Sequence, residues 1–377
     1  MSTTPRPSRH LRPLALLGLV AGLLVAAPAF GAPAAPESVT VAAQVATSAP
    51  AAPAAARRTG VRRVASSRVA FDLANTNNSS VLCVPQPDGK AYPVRGRLVG
   101  PRAVFDGRVA VVTVNVLVHD AGTGAWFFNL RSNPTYDYAT RLAERGQTSL
   151  VLDRLGYGRS PLADGDDTCL GAQVHMLHQV VQHLYAGRYD FLGSRSGTPT
   201  PKATTIVLQG HGTGATIAQL EAARFSDVSG LVLMAPAITS PSQLAIDTTR
   251  DQARTCLSAG FADFGDTARA YRALLFRTAP SGVRRAAVQR RNPTPCGDVT
   301  SLPGALASAT AADRDVDVPV LVLRAGRNAR TEDGSSSVRS SERVTRTTVK
   351  GAGSALTLER SAPATQRRVV RWLRDLR

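Results

Sequence analysis

Gly210-His211-Gly212-Thr213-Gly214 carries the strongest chemical signal in the chain. It lies between Thr204 to Leu208, which reads as a short strand, and Ala215 to Phe225, which reads as a helix. Two chemistries use a glycine-rich turn in that place. One is dinucleotide binding through G-x-G-x-x-G/A, matched by Gly210, Gly212 and Ala215, with a pyrophosphate resting on the helix N-terminus. That unit belongs on the first strand of its fold and needs an acid about 20 residues on to hold a ribose. Here the strand is a late one, and 228 to 240 contains no acid. The other is the nucleophile elbow G-x-S-x-G, which lifts a serine hydroxyl above the carboxyl edge of a sheet. The apex here is Gly212, so the turn is present and the nucleophile is not.

The partners of such a serine are missing too. A triad on this kind of turn runs Ser, then Asp or Glu, then His along the chain. The six histidines are His10, His119, His175, His178, His183 and His211, and none follows the elbow. Removing a serine nucleophile or its histidine costs about a millionfold in rate, roughly 8 kcal/mol, while an oxyanion hole alone keeps roughly 10³ to 10⁴ over water. Glycine at the apex relieves a strained backbone that costs a residue with a Cβ about 1 to 3 kcal/mol. Among substitutes, Thr213 is one position past the apex and is expected to point away from the pocket. Ser354 and Lys350 form a Ser/Lys pair only if they lie within hydrogen-bond reach of each other and of an oxyanion hole. Asp247 has no histidine to orient and reads as a solvated surface acid, and Asp153 and Ser160 read as braces of a loop. His175, His178 and His183 read as polar helix surface, because 175 and 178 lack an acidic or third histidine partner at ligand spacing. With no C-x-x-C, no H-E-x-x-H and no acidic cluster at ligand spacing, neither a metal nor a cofactor is expected.

The elements around the turn alternate between strand-like and helix-like, which predicts an α/β architecture with a mostly parallel sheet. Val109 to Val118 is a nearly continuous β-branched run, as in a strand covered on both faces. Tyr136 to Arg145 reads as a helix, Ser149 to Leu152 as a strand and Gly171 to Tyr185 as a second helix. Leu170, Val174, Leu177, Val181 and Leu184 form the apolar stripe of that second helix. Residues 189 to 202 read as a Gly, Ser and Pro loop, and Leu231 to Met234 as a strand. From Ser240 to about Asp313 the pattern weakens into short helical pieces, read as a cap inserted into the sheet domain. Val318 to Leu323 resumes a buried strand and Val344 to Val349 is half-buried. Thr365 to Leu376 closes the chain as a helix with Val369, Leu373 and Leu376 inward.

On these features the chain resembles the α/β-hydrolase family, and within it the exported actinobacterial-type members, over about residues 68 to 377. Besides the elbow, Val118-His119-Asp120-Ala121-Gly122 resembles the His-Gly turn that helps form the oxyanion hole. Asp153-Arg154-Leu155-Gly156-Tyr157-Gly158-Arg159-Ser160 resembles the D-x-x-G-x-G-x-S loop. Val318 to Leu323 is similar to the strand before the catalytic acid, and Gly351-Ala352-Gly353-Ser354-Ala355-Leu356 to the turn carrying the catalytic histidine. The resemblance implies an α/β-hydrolase fold with helices on both sheet faces. It puts the serine on Gly212, the acid on Ala329 beside Asn328 and the histidine on Ser354, so all three positions are vacated. The backbone amides of Ala121 and Thr213 remain as oxyanion-hole-like donors, needing no particular side chain. His119, Asp120 and His211 are the candidates to line the pocket.

Composition bounds the rest. The 377 residues are 43% hydrophobic and 19% charged, which excludes wholesale disorder. The net charge of +18 comes almost wholly from arginine, since only Lys90, Lys202 and Lys350 are lysines. The arginines are spread along the chain and aromatics are 5%, which argues against nucleic-acid binding by a cationic face with stacking platforms. Residues 1–31 read as a signal peptide, with Arg6, Arg9 and Arg12 ahead of an apolar stretch from Leu14 to Ala27. That stretch is too short to span a bilayer comfortably. Ala29 and Gly31 allow cleavage before Ala32, leaving +18 less three arginines, or +15. Such a charge favours association with anionic envelope polymers or headgroups. Residues 32–67 read as an Ala/Pro-rich linker, 68–377 as the domain, and about 240–313 as its cap. In an exported chain, four cysteines predict two disulfides, and of three pairings Cys83 with Cys169 and Cys256 with Cys296 is preferred. The reading is an exported pseudoenzyme that binds a small, partly apolar ligand or a protein partner. The alternatives are a secreted esterase- or lipase-like hydrolase with a non-standard site, and an envelope protein tethered by an uncleaved N-terminus.

Overall fold

A computed structural model describes residues 63–108, 113–236, 240–331 and 343–376. The expected signal peptide (1–31), most of the linker and the first part of the Val109 to Val118 run lie outside the described residues.

In chain order the elements are β1 (Val64–Ala74), β2 (Ala91–Pro101), α1 (Arg102–Phe105), β3 (Thr113–Val118), α2 (Tyr138–Glu144), β4 (Thr148–Leu152), α3 (Leu170–Ala186), β5 (Asp190–Leu192), β6 (Thr205–His211), α4 (Thr213–Phe225) and β7 (Gly230–Met234). They continue through α5 (Gln243–Thr255), β8 (Phe261–Asp263), α6 (Ala268–Leu275), α7 (Ser281–Gln289), β9 (Pro293–Pro295), α8 (Cys296–Ala311), β10 (Val320–Ala325), β11 (Val344–Val349) and α9 (Ala362–Asp375). Nine strands form one sheet in the order β11-β10-β7-β6-β3-β4-β2-β1-β5. The six from β11 to β4 run parallel, and β2, β1 and β5 continue antiparallel. Each face is sealed, as a parallel sheet requires. Alternate residues Val114, Val116 and Val118 of β3 enter the core shared with α3 and α4, whereas Leu117 enters the opposite core with α2 and α9. A fully buried leucine at such a position contributes about 1.5–3 kcal/mol.

The stripe on α3 is buried throughout, and the helix starts with the Cys169 side chain accepting the Ala172 amide and stops at Gly187. In α9, Val369 and Leu373 point inward, while Leu376 is only partly buried. Two further expectations need correction. The linker does not run to residue 67, because Val64 already pairs with Pro101 at the start of β1. β1 is half polar in sequence but alternates cleanly, with Ser67, Val69, Phe71 and Leu73 inward. The stretch read as a loop from 189 holds β5, which pairs along β1.

Residues 240–313 hold α5 to α8, with β8 and β9 paired as a two-stranded ribbon. Ala305 and Ala309 of α8 belong to the sheet core, so the segment ends by packing back onto the domain. The disulfides are Cys83–Cys169 and Cys256–Cys296. The second fastens the C-terminal end of α5 to the start of α8. At its other end Ser242, the cap of α5, donates its backbone amide to Arg330 O and its hydroxyl to Ala329 O. Between those ends only Thr248 and Gln252 of α5 are buried. No helix among the described residues is long and apolar enough to cross a membrane.

Candidate functional site

Parallel pairing of β3 with β6 sets Val118 opposite Gly210, so the turns leaving both strands meet above the sheet edge. Gly212 lies at φ 55°, ψ −120° between β6 and α4, a sharp turn in which an L side chain is strained. A Cβ on Gly214 would come within 2.2 Å of Val118 O, so glycine is what lets α4 start against β3. A Cβ on Gly212 would come within 2.0 Å of Asp120 Oδ2. The space of a side chain at the apex is filled by the Asp120 carboxylate.

That carboxylate makes a set of contacts that no local pattern announces. Asp120 Oδ1 accepts the amides of Ala121 at 2.9 Å and Thr213 at 2.7 Å, the two donors that the resemblance marks as oxyanion-hole-like. Arg330 donates from Nη1 to Asp120 Oδ2 at 2.7 Å and from Nη2 to Ser354 Oγ at 2.6 Å. Burial alone would raise the Asp120 pKa. The Arg330 guanidinium, then His211, then the Thr213 amide outweigh it and hold the carboxyl at about 2. His211 stacks on Phe127 with ring centroids 4.3 Å apart, and its Nε2 lies 3.0 Å from Ser354 O and 3.1 Å from Ser354 Oγ. A carbonyl only accepts, so Nε2 carries the proton. Nδ1 is then a bare lone pair, 3.7 Å from Asp120 Oδ2. Burial lowers His211 to about 4 despite the nearby Asp120 charge, with Arg330 adding to the fall, so the ring is neutral near pH 7.

The other two positions that the resemblance marks as vacated, Ala329 and Ser354, are also built into the chain's own contacts. Ala329 supplies its carbonyl to Ser242, while its neighbour Arg330 crosses to Asp120. Ser354 is fully buried on a turn held by Glu359, whose carboxylate accepts the amides of Gly353, Arg277 and Thr278. Lys350 is exposed, and the Ser354 hydroxyl is engaged by Arg330 and His211, so the Ser/Lys pair does not form. Asp247 is half-exposed and pairs with Arg250 at 3.2 Å. Asp153 and Ser160 brace their loop: Asp153 accepts the amides of Ala125 and Arg159, and Ser160 Oγ donates to Asp153 O while accepting the Arg95 amide. His119 donates from Nδ1 to Asp120 O and accepts the Arg154 amide at Nε2. Burial first, then the Arg154 charge, lowers its pKa to about 3.

A cavity of about 470 Å³ opens over Ala121, Gly212 and Thr213, walled by Ala245 and Ile246 of α5 and by Leu302 of α8. His119, Asp120 and His211 do not line it, contrary to expectation. All three are fully buried, because Asp120 turns inward onto the two amides and Arg330 closes over it. Thr213 is among the residues at the cavity wall, and Arg330 reaches it with 11% of its side chain exposed, 5.7 Å above the Phe264 ring. Behind the cavity, Arg154 Nη1 donates to Asp298 Oδ2 at 2.7 Å and Tyr157 donates to the same oxygen, joining the loop after β4 to α8.

Of the three helix histidines, His175 faces Thr76 O and His183 faces Arg188 O. His178 does have acidic neighbours, in contrast to the expectation. Asp227 and Glu221 approach it from the adjoining helix α4 and its end rather than from its own.

The family model described as alpha/beta hydrolase family matches residues 116–366. No curated protein sequence matches the chain. Among solved structures, it is similar to the monoacylglycerol lipase of Paleococcus ferrophilus, with TM-score 0.52 and 17% identity over 71% of this chain and 97% of that one. It is also similar to a thermophilic esterase from Thermogutta terrifontis, with TM-score 0.54 and 17% identity over 81% and 99%. A peroxisomal alpha-beta-hydrolase from Saccharomyces cerevisiae gives 0.53 and 10% identity over 83% and 88%. At such identities these likenesses speak for the fold alone. By sheet order, elbow and a match spanning most of its length, the chain belongs to the alpha/beta hydrolase family.

Proposed function

We propose that this protein is a non-catalytic member of its family, exported, and binding a small, partly apolar ligand in the cavity above the elbow without turning it over. One observation carries the reading: the Asp120 carboxylate takes both amides at the elbow and the space of the residue-212 side chain. An ester carbonyl entering there would have to displace an anion held by two amides and an arginine before its own developing negative charge found a donor. The cavity volume suits a small molecule, and its walls are largely apolar. Two disulfides fit an oxidising compartment, and a mature chain beginning near Ala32 is the expected sign of export.

A second reading, an active serine hydrolase, has Ser354 Oγ within 3.1 Å of His211 Nε2 and Asp120 beyond the ring in its favour. Against it, Nε2 donates to a carbonyl and is the wrong tautomer for a base, Ser354 is fully buried, and Arg330 holds its hydroxyl. The test is hydrolysis of p-nitrophenyl esters from acetyl to palmitoyl by the wild-type protein and by Ser354→Ala. We expect both to match background. Turnover above background that Ser354→Ala abolishes overturns the proposal. Binding is read with an apolar fluorescent probe, whose uptake Ala245→Trp should block. Uptake untouched by that change would move the site off the cavity and favour a protein partner.

A further inference from the structure

We propose that His178, Glu221 and Asp227 form a zinc-binding site on the face of the sheet covered by α3 and α4, away from the cavity. His178 stands on α3, Glu221 on α4, and Asp227 one residue past Ser226, whose left-handed φ of 53° turns the chain back toward α3. One ligand atom from each residue lies within 4.8 Å of the other two. His178 Nδ1 is 2.9 Å from Asp227 Oδ2 and 3.9 Å from Glu221 Oε1. Tetrahedral zinc with ligand bonds of about 2.0–2.1 Å sets neighbouring donors about 3.3 Å apart, so small side-chain adjustments meet it.

The second observation is what these atoms lack. Glu221 is fully buried, and neither of its carboxylate oxygens has a hydrogen-bond partner. Asp227 Oδ1, at the same place, has none either, and His178 Nδ1 faces only the Asp227 carboxylate, 2.9 Å from Oδ2. Three carboxylate oxygens without a donor, gathered at one spot beside an imidazole nitrogen, call for a positive centre between them. One imidazole with two carboxylates neutralises a divalent cation, and the nitrogen ligand with few oxygens favours zinc over calcium or magnesium, which take six or more oxygen ligands. The surroundings hold the ligands in place: Gln182 donates to Asp227 Oδ2, Tyr185 donates to Asp227 O, and the His178 ring stacks on Phe225 at 3.9 Å. His178 and Asp227 are 22% and 17% exposed, which leaves an outer side for a water as fourth ligand. Such a site ties α3 to α4. The alternative way to balance the cluster is a proton on Glu221 shared with Asp227, and the experiment separates the two.

Zinc is titrated calorimetrically into the tag-free protein, stripped of metal, and into Glu221→Gln and Asp227→Asn, with thermal unfolding of each chain run with and without zinc. We expect one zinc per wild-type chain and a raised midpoint. Each variant should bind on the order of 100-fold more weakly, since disturbing even an outer partner of a metal ligand costs 10–100-fold. Glu221→Gln keeps the side-chain shape, and unfolding without zinc confirms that it folds. Equal zinc binding by wild type and Glu221→Gln, or no midpoint shift in the wild-type chain, overturns the site and leaves the shared proton.

Discussion

Replacing Asp120 with asparagine keeps the outline of the side chain and removes the charge on which Arg330 and the amides of Ala121 and Thr213 converge. The magnitude follows from linkage. Folding moves the carboxyl pKa from 3.8 to about 2, and at about 1.4 kcal/mol per unit the charged form is favoured by roughly 2.5 kcal/mol. Stripping one partner from a buried ion pair generally costs about 3–5 kcal/mol. Arg330 keeps 11% of its side chain exposed, and water there softens the loss. We therefore expect Asp120→Asn to destabilise the protein by about 2–3 kcal/mol at pH 7. Because the folded pKa is depressed, this stability is fully present above 3.8 and is lost as pH falls through about 2. The gap between wild type and variant should be flat down to about pH 5 and roughly half as large at pH 3. Urea unfolding of both proteins across that range measures it. Equal stabilities at pH 7, or a gap at pH 3 as wide as at pH 7, would refute the ion pair inside the elbow.

Gly212→Ala places a Cβ at positive φ and 2.0 Å from Asp120 Oδ2, so a loss of about 3 kcal/mol or more is expected in thermal unfolding. Adding Asp120→Gly should recover the steric share of that loss, and an unchanged melting temperature in the single variant would contradict the packing described. The two disulfides span 86 and 40 residues, for which chain entropy gives about 4.5 and about 4 kcal/mol. Paired Cys→Ser variants should thus lose stability in that order, as read from urea midpoints.

What was legible in the sequence was local. The elbow is spelled by three glycines in five residues, the α3 stripe by period, and the disulfide pairs by their placement in the two halves of the chain. The positions that the resemblance marks as vacated are legible only as absences. Their replacement was not, since Asp120 and Arg330 are 210 residues apart and nothing near either names the other. Glu359, which holds the turn of Ser354, is likewise one more acid in a helical approach until Gly353, Arg277 and Thr278 are seen to donate to it. No acid stands at ligand spacing from His178 on its own helix, and its acidic neighbours come from α4 and its end. β1 is not evident in the sequence because Ser66, Arg68 and Asp72 face outward between its inward residues, and pairing with β2 reveals the alternation.

The two fixed ends of α5 have a mechanical meaning. Its C-terminal end is clamped to α8 by Cys256–Cys296, and its N-terminal end is held at Ser242 by the carbonyls of Ala329 and Arg330. A helix anchored at both ends and thinly buried between them does not swing clear like a door on one hinge. The motion that both tethers leave open is a roll of α5 about its own axis, which would turn Ala245 and Ile246 toward or away from the elbow. If the cavity takes a guest as proposed above, entry along the flank of α5 is the expected route, and with it a preference for slender molecules over bulky ones of equal volume.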